Sequence, residues 1–113
     1  PELLDQINAF VEEHYSTRFT IGELAKQLYV SPSTVSHLFK QKLGVSLCRY
    51  VTQRRLIAAK TLIEKGKQLE DVAAQTGFAD YSGFYRAFKQ TFGISPRQYR
   101  TLQETQAGSS LRE

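Results

Sequence analysis

A chain of 113 residues with 41% hydrophobic content bounds a single compact unit or two small subdomains sharing a linker. Its one cysteine excludes an internal disulfide, and no apolar run approaches the roughly 18 residues that cross a bilayer, so a membrane protein is not expected. The N-terminus lacks the basic-then-apolar pattern of a leader, which predicts a soluble cytosolic chain, and the start at Pro1 fits a fragment of a longer protein. Leu3, Leu4, Ile7, Phe10 and Val11 recur at spacings of three and four and predict an amphipathic first helix to about His14. Residues 15–19 break it. Thr20 and Glu23 have the spacing of a capping box, so a second helix should run from Ile21 to about Leu28. After a turn at Tyr29 and Val30, Ser31 and Pro32 supply a capping oxygen and a first-turn proline for a third helix, with Val35, Leu38, Phe39 and Leu43 inward and a stop near Gly44. Ser46 caps a fourth helix running from Leu47 to about Lys65, with Val51, Leu56, Ala59, Leu62 and Ile63 as its buried stripe and Gly66 as its end. Leu69 to Thr76 forms a fifth, Asp80 caps a sixth that runs to about Phe92, and Ser95-Pro96 opens a short seventh. Beyond Thr101 the chain is polar and expected to fray. Cys48 has no His or Cys beside it to share a metal and is expected to pack as a small apolar residue.

The chain also repeats itself. Ser31 through Ser46 aligns without a gap on Asp80 through Ser95, pairing Val35 with Phe84, Phe39-Lys40 with Phe88-Lys89, and Gly44 with Gly93. Upstream, Leu24-Ala25-x-Gln27 pairs with Val72-Ala73-x-Gln75 after a one-residue shift that falls where a turn should be. Two copies are too few for a solenoid, so a duplicated module is the better reading. In each copy two helices are joined by a short turn, and an alanine on the first, Ala25 or Ala73, lets the second cross closely. That arrangement is a helix-turn-helix. The predicted architecture is all-α, about seven helices: an N-terminal helix-turn-helix subdomain over 1–46, a linker helix over 47–66, a C-terminal helix-turn-helix subdomain over 67–102, and a disordered polar tail over 103–113.

The net charge of +4 is a weak hint by itself, but its distribution is informative. From Leu24 to Ile63 there is no acid, while Lys26, Lys40, Lys42, Arg49, Arg54, Arg55 and Lys60 are all basic. From Tyr81 to Gln103 the acids vanish again, and that window carries Arg86, Lys89, Arg97 and Arg100. Glu2, Asp5, Glu12 and Glu13 concentrate in the first helix. Duplex DNA would be attracted to the two repeats and repelled by that helix.

The stretch Gly77-Phe78-x-Asp80-x-Ser82-x-Phe84-x-Arg86-x-Phe88-Lys89-x-x-x-Gly93-x-Ser95-Pro96-x-x-Tyr99-Arg100 closely resembles the C-terminal signature of the AraC family of bacterial transcription regulators. The linker Arg55-Leu-x-x-Ala59-Lys60-x-Leu62-Ile63 and the first unit from Leu24 to Lys40 are similar to that family too. The resemblance implies a DNA-binding domain of seven helices, with two helix-turn-helix units on a long rigid helix. It also implies a separate sensor or dimerisation domain, not present in this chain, and a transcription activator in the bacterial cytoplasm, at the nucleoid, that touches RNA polymerase. No cofactor is implied.

A linker helix of about 19 residues is about 28 Å long. With the flanking units added, recognition helices over about 32–43 and 81–92 could lie near the roughly 34–36 Å that separates successive major-groove faces. Because the two units are in tandem and differ in their side chains, the expected site is asymmetric. In the first recognition helix Ser33, Thr34, Ser36, His37 and Lys40 are left for groove or solvent, and Ser33, Ser36 and His37 match positions that resemble base readers in the family. Ser33 could instead cap its helix, and His37 could simply be solvated. In the second helix Tyr81, Ser82, Tyr85, Arg86 and Lys89 are expected outside, with Tyr81, Ser82, Tyr85 and Arg86 as base contacts. Arg86 is the sharpest of them, because a guanidinium pairs bidentately with guanine O6 and N7, although phosphate contact is its nearest rival. Lys40, Arg49, Lys89 and Arg97 are expected on phosphates, along with the backbone N–H groups that follow Ser46 and Ser95. Arg55 could join the units through a carboxylate such as Glu64 or Asp71, and Gly83 could mark close approach to DNA or crowding by a neighbouring helix.

An enzyme would need a clustered nucleophile, a paired base or metal ligands, and the chain offers one Cys, two separated His and no phosphate loop. The rival reading is a helical protein-interaction module whose basic face is incidental. RNA recognition is less favoured, since two Tyr on one helix make no stacking platform.

Overall fold

Thr20 Oγ1 accepts from the Glu23 amide at 3.0 Å, and the Glu23 carboxylate accepts from the Thr20 amide at 3.0 Å, closing the expected capping box. The computed structural model describes the backbone of residues 2–112 and the side chains of 2–106, and it places similar caps along the chain. Ser31 Oγ accepts from Thr34 N, Ser46 Oγ from Arg49 N, and Asp80 Oδ1 from Gly83 N. Each satisfies an amide that has no partner within its helix. The helices are α1 Leu3–His14, α2 Ile21–Gln27, α3 Pro32–Leu43, α4 Leu47–Glu64, α5 Leu69–Gln75, α6 Tyr81–Phe92 and α7 Pro96–Arg112, with no strand among the described residues. Gly44 and Gly93 end α3 and α6 at φ 75° and 81°, the left-handed conformation that glycine takes without a Cβ penalty.

The chain divides into two compact units between Arg55 and Leu56, inside α4. α4 supplies Leu47 and Val51 to one core and Leu56, Ala59 and Ile63 to the other, in line with its expected buried stripe. The first core adds Ile7 and Val11 of α1, Leu24 and Ala25 of α2, and Val35 and Phe39 of α3. The second adds Leu69, Val72 and Ala73 of α5 and Phe84 and Phe88 of α6, edged by Phe78, Tyr81, Phe92 and Tyr99. Ala25 and Ala73 are both buried, the close-crossing role expected of them.

Several expectations are corrected. Leu43 is 41% exposed, because Val45 and Tyr50 already pack against the first core, Tyr50 edge-on to Phe39 at 5.0 Å. Leu38 and Leu62 are half-buried but pack against the first and second cores, the inward side expected of them. Cys48 is exposed: Leu47 and Val51, four residues apart, take the inward face of α4 and turn the intervening thiol outward. The seventh helix is long, since residues 101–106 are mostly good helix formers without proline. Its backbone is helical to Arg112. Of the tail expected to fray, Glu113 and the side chains of 107–112 lie outside the described residues.

The turns of the two units differ in a way that carries a prediction. Gly77 has φ 95° after α5, while in the first unit the matching place is held by Tyr29 at φ 61°, 94% exposed. An L-residue in the left-handed region costs roughly 1–2 kcal/mol, and glycine returns part of that as lost chain entropy. Tyr29→Gly should therefore stabilise the first unit by about 1 kcal/mol, read as a higher urea midpoint of its amide resonances. An unchanged or lower midpoint would mean that the strain is offset elsewhere.

In the second unit the Tyr99 hydroxyl donates to the Glu64 carboxylate, and Lys60 Nζ lies 4.7 Å from the Phe92 ring centre and 5.1 Å from that of Tyr99. Burial first, then the hydrogen bond to Glu64 and its charge, push the Tyr99 phenol up to about 12 from the usual 10.0. A folded-state value above the unfolded one stabilises the fold fully below about pH 10 and is lost as pH rises through about 12. Tyr99→Phe should flatten the loss of stability over that window, measured by urea titrations at stepped alkaline pH.

Candidate nucleic-acid interface

The buried pair Val35 and Phe39 orients α3, because residues four apart share a face. Ser33, Ser36, His37 and Lys40 are left exposed, as expected, together with Lys42, a further cation that the spacing does not single out as a contact. Ser33 is not the cap. Ser31 holds that place, accepting from Thr34 N and sharing a 2.8 Å hydrogen bond with the Thr34 hydroxyl. Thr34 is thereby tied to the start of its own helix.

Phe84 and Phe88 orient α6 in the same way, exposing Ser82, Arg86 and Lys89 and leaving Tyr85 37% exposed. Tyr81 is a correction. It is half-buried at the edge of the second core, 5.7 Å between ring centres from Phe84 and 6.4 Å from Tyr85. Burial, then the Glu70 charge, raise its phenol above the ordinary value against the opposing pull of Arg97. Lys89 Nζ lies 6.0 Å from the centre of the Tyr85 ring, so these two side chains form one cationic and aromatic patch beside Arg86. Gly83 has neither a second backbone nor another helix against it. A Cβ there would meet the capping Asp80 oxygen at 3.2 Å.

Several basic residues of the acid-free windows are engaged within their own unit. Arg54 forms a bidentate pair with Glu12 of α1 at 2.6 and 3.0 Å, and its guanidinium carbon sits 4.5 Å from the Tyr15 ring centre. That hydrogen bond holds the Glu12 carboxyl below its usual value. Arg55 joins no carboxylate. Its Nε donates to Tyr15 O at 2.7 Å and an Nη2 hydrogen to Thr17 O at 2.9 Å, because the chain leaving α1 passes the middle of α4. Arg100 donates to Lys67 O. In the first unit Lys40, Lys42 and Arg49 remain exposed on α3 and at the start of α4, without a carboxylate partner among the described residues. In the second, Arg86, Lys89 and Arg97 do.

The two helix starts expected to hold phosphates also differ. At α7 the Ser95 amide donates to Gln98 Oε1 and the Gln98 amide to Ser95 Oγ, so both groups are satisfied internally. At α4 the Arg49 amide is the one taken by a side chain among the described residues, donating to Ser46 Oγ, and Arg49 stands where the second unit has Gln98.

Residues 24–102 match the helix-turn-helix domain family. The arabinose operon regulatory protein of Escherichia coli is 33% identical over 93 residues, covering 80% of this chain and 32% of that protein. The C-terminal domain of the two-component response regulator yesN from Fusobacterium nucleatum superposes with a TM-score of 0.80 at 33% identity, covering 85% of this chain and 95% of that domain. The DNA-binding domain of AdpA, solved in complex with a target DNA, shares the fold with a TM-score of 0.87 at 24% identity, over 94% of this chain and 96% of that one. The chain spans well under half the length of the curated relatives it matches. With two helix-turn-helix units in tandem and a family match running through both, the chain belongs to the helix-turn-helix domain family of AraC-type transcription regulators.

Proposed function

We propose that the chain binds double-stranded DNA in a sequence-specific manner, with α3 and α6 each entering a major groove and the two grooves adjacent on the duplex. The observation that carries this reading is the pair of recognition helices. Each is fixed by two buried residues four apart, and each turns hydrogen-bonding and cationic side chains outward. Ser33, Ser36 and His37 read bases from α3, and Ser82, Tyr85 and Arg86 from α6. Tyr81 contributes by its hydroxyl edge alone, since its ring is committed to the core. Lys40, Arg49, Lys89 and Arg97 contact phosphates and set the register. The two units share the 18 residues of α4, Leu47–Glu64.

The wider role is transcription activation by a longer protein in which a sensor or dimerisation domain accompanies this one and RNA polymerase is the protein partner. It places the chain in the cytoplasm at the nucleoid. The lengths of the curated relatives and the regulatory roles in their names support this.

The test is selection of the isolated chain against a randomised duplex pool, repeated for the winning sequence at two salt concentrations. An asymmetric site with two boxes about one helical turn apart, weakening steeply with salt, is expected. A single box would remove one unit from base reading. Absence of binding at low salt would favour the protein-interaction reading.

A further inference from the structure

A cleft of about 210 Å³ opens in the first unit beside the residues leading into α2 and the early turns of α4. Phe19, Ile21, Leu47 and Val51 give it apolar walls, Cys48 and Thr52 add a thiol and a hydroxyl, and Arg55 is the one charged side chain lining it. Arg55 is half-buried, and its guanidinium is satisfied in an unusual way. Its two hydrogen bonds go to the neutral carbonyls of Tyr15 and Thr17, and among the described residues its Nη1 donors and one on Nη2 have no protein partner and its charge has no carboxylate. The preceding residue, Arg54, has Glu12. Burial lowers the Arg55 guanidinium from its ordinary value, the Cys48 thiol pulls the other way, and the nearby Arg18 charge again lowers it.

We propose that this cleft binds a small amphiphilic monoanion, a free carboxylate of about the size of octanoate or 3-phenylpropionate, with its apolar body against Phe19, Ile21, Leu47 and Val51 and its carboxylate on the unused donors of Arg55. An anion supplies the counter-charge that the fold omits, and a partly desolvated pair attracts more strongly than one in water. Arg18 adds to that field and disfavours a cationic head. The volume lies below the roughly 300 Å³ at which drug-sized pockets begin, which limits the ligand to a small molecule. The inference stands apart from DNA binding, since neither Arg55 nor Arg18 belongs to the proposed interface.

Cys48, exposed in the cleft lining and the only cysteine of the chain, supplies the reporter. Its alkylation by iodoacetamide is timed in the intact chain with octanoate, octanol or octylammonium, and backbone amide shifts are recorded for the same mixtures. Octanoate is expected to slow alkylation about tenfold at a free concentration about ten times its Kd, by simple occupancy. Octanol should protect less and octylammonium not at all, and the octanoate shifts should centre on Phe19, Ile21 and Val51. Arg18→Gln, at an exposed position whose side chain makes no hydrogen bond among the described residues, should weaken octanoate without unfolding the unit. Arg55→Lys, which keeps the charge and loses the planar fork, should weaken it further. Equal protection by octanol and octanoate would overturn the anion class. Absent protection, or shifts centred outside the cleft, would overturn the site.

Discussion

Phe84→Ala is expected to destabilise the second unit by about 3–5 kcal/mol, the cost of truncating a fully buried aromatic. Phe84 has no exposed surface and sits at the centre of a ring cluster, with ring centres 5.3 Å from Phe78, 5.7 Å from Tyr81 and 5.7 Å from Phe88. Deleting its ring removes the apolar burial and leaves a cavity that three neighbouring rings can fill only in part. Such a loss rivals the whole stability of a small domain, about 5–15 kcal/mol. The second unit should then melt well before the first, and urea titration followed by amide resonances assigned to each unit reads the two separately. A loss under about 1 kcal/mol would mean that the cluster repacks freely and that Phe84 does not anchor α6. The repeat offers an internal comparison. The matching place in the first unit is Val35, equally buried but smaller, so Val35→Ala should cost less.

Helix starts were legible in the sequence because their signals are local. Thr20 with Glu23, Ser31 before Pro32, and Asp80 before α6 each act over three residues, and each makes the hydrogen bond its spacing predicts. The recognition faces were legible for a related reason: once Val35 with Phe39 and Phe84 with Phe88 point inward, the outward set follows from helical geometry. What escaped depends on residues far apart in the chain. Arg54 looked like part of a basic surface, but its partner Glu12 lies 42 positions away. The sequence leaves the role of Arg55 open, with a carboxylate such as Glu64 or Asp71 as one choice, because the carbonyls that bind it belong to residues 38 and 40 positions earlier. Tyr81 looked exposed by position on its helix, yet Phe84 gives its ring a neighbour in the core. The left-handed Tyr29 carried no signal in its own residue type, and only the repeat, which sets it opposite Gly77, pointed to a positive φ there.

Arg86→Ala should lower affinity for the selected duplex by about 1–3 kcal/mol, roughly five- to 150-fold, while binding to random duplex falls far less. The argument rests on where the side chain stands. Arg86 is exposed on α6, two residues past Phe84, with no carboxylate or hydrogen-bond partner within the chain among the described residues. Its planar fork is therefore free to meet a guanine edge, whereas Lys89 beside it is drawn toward the Tyr85 ring. Lys40→Ala supplies the contrast. A lysine on phosphate carries no sequence information, so its loss should weaken specific and random duplex alike and reduce the slope of log K against log salt by about one. Arg86→Lys sharpens the test further, because it keeps the charge and removes the fork. A base-reading arginine should not be rescued by lysine, whereas a phosphate-bound one should be rescued in large part. Equal losses of specific and random binding for Arg86→Ala, with rescue by lysine, would move Arg86 from the base edge to the backbone and leave Ser82 and Tyr85 to carry whatever sequence preference α6 has.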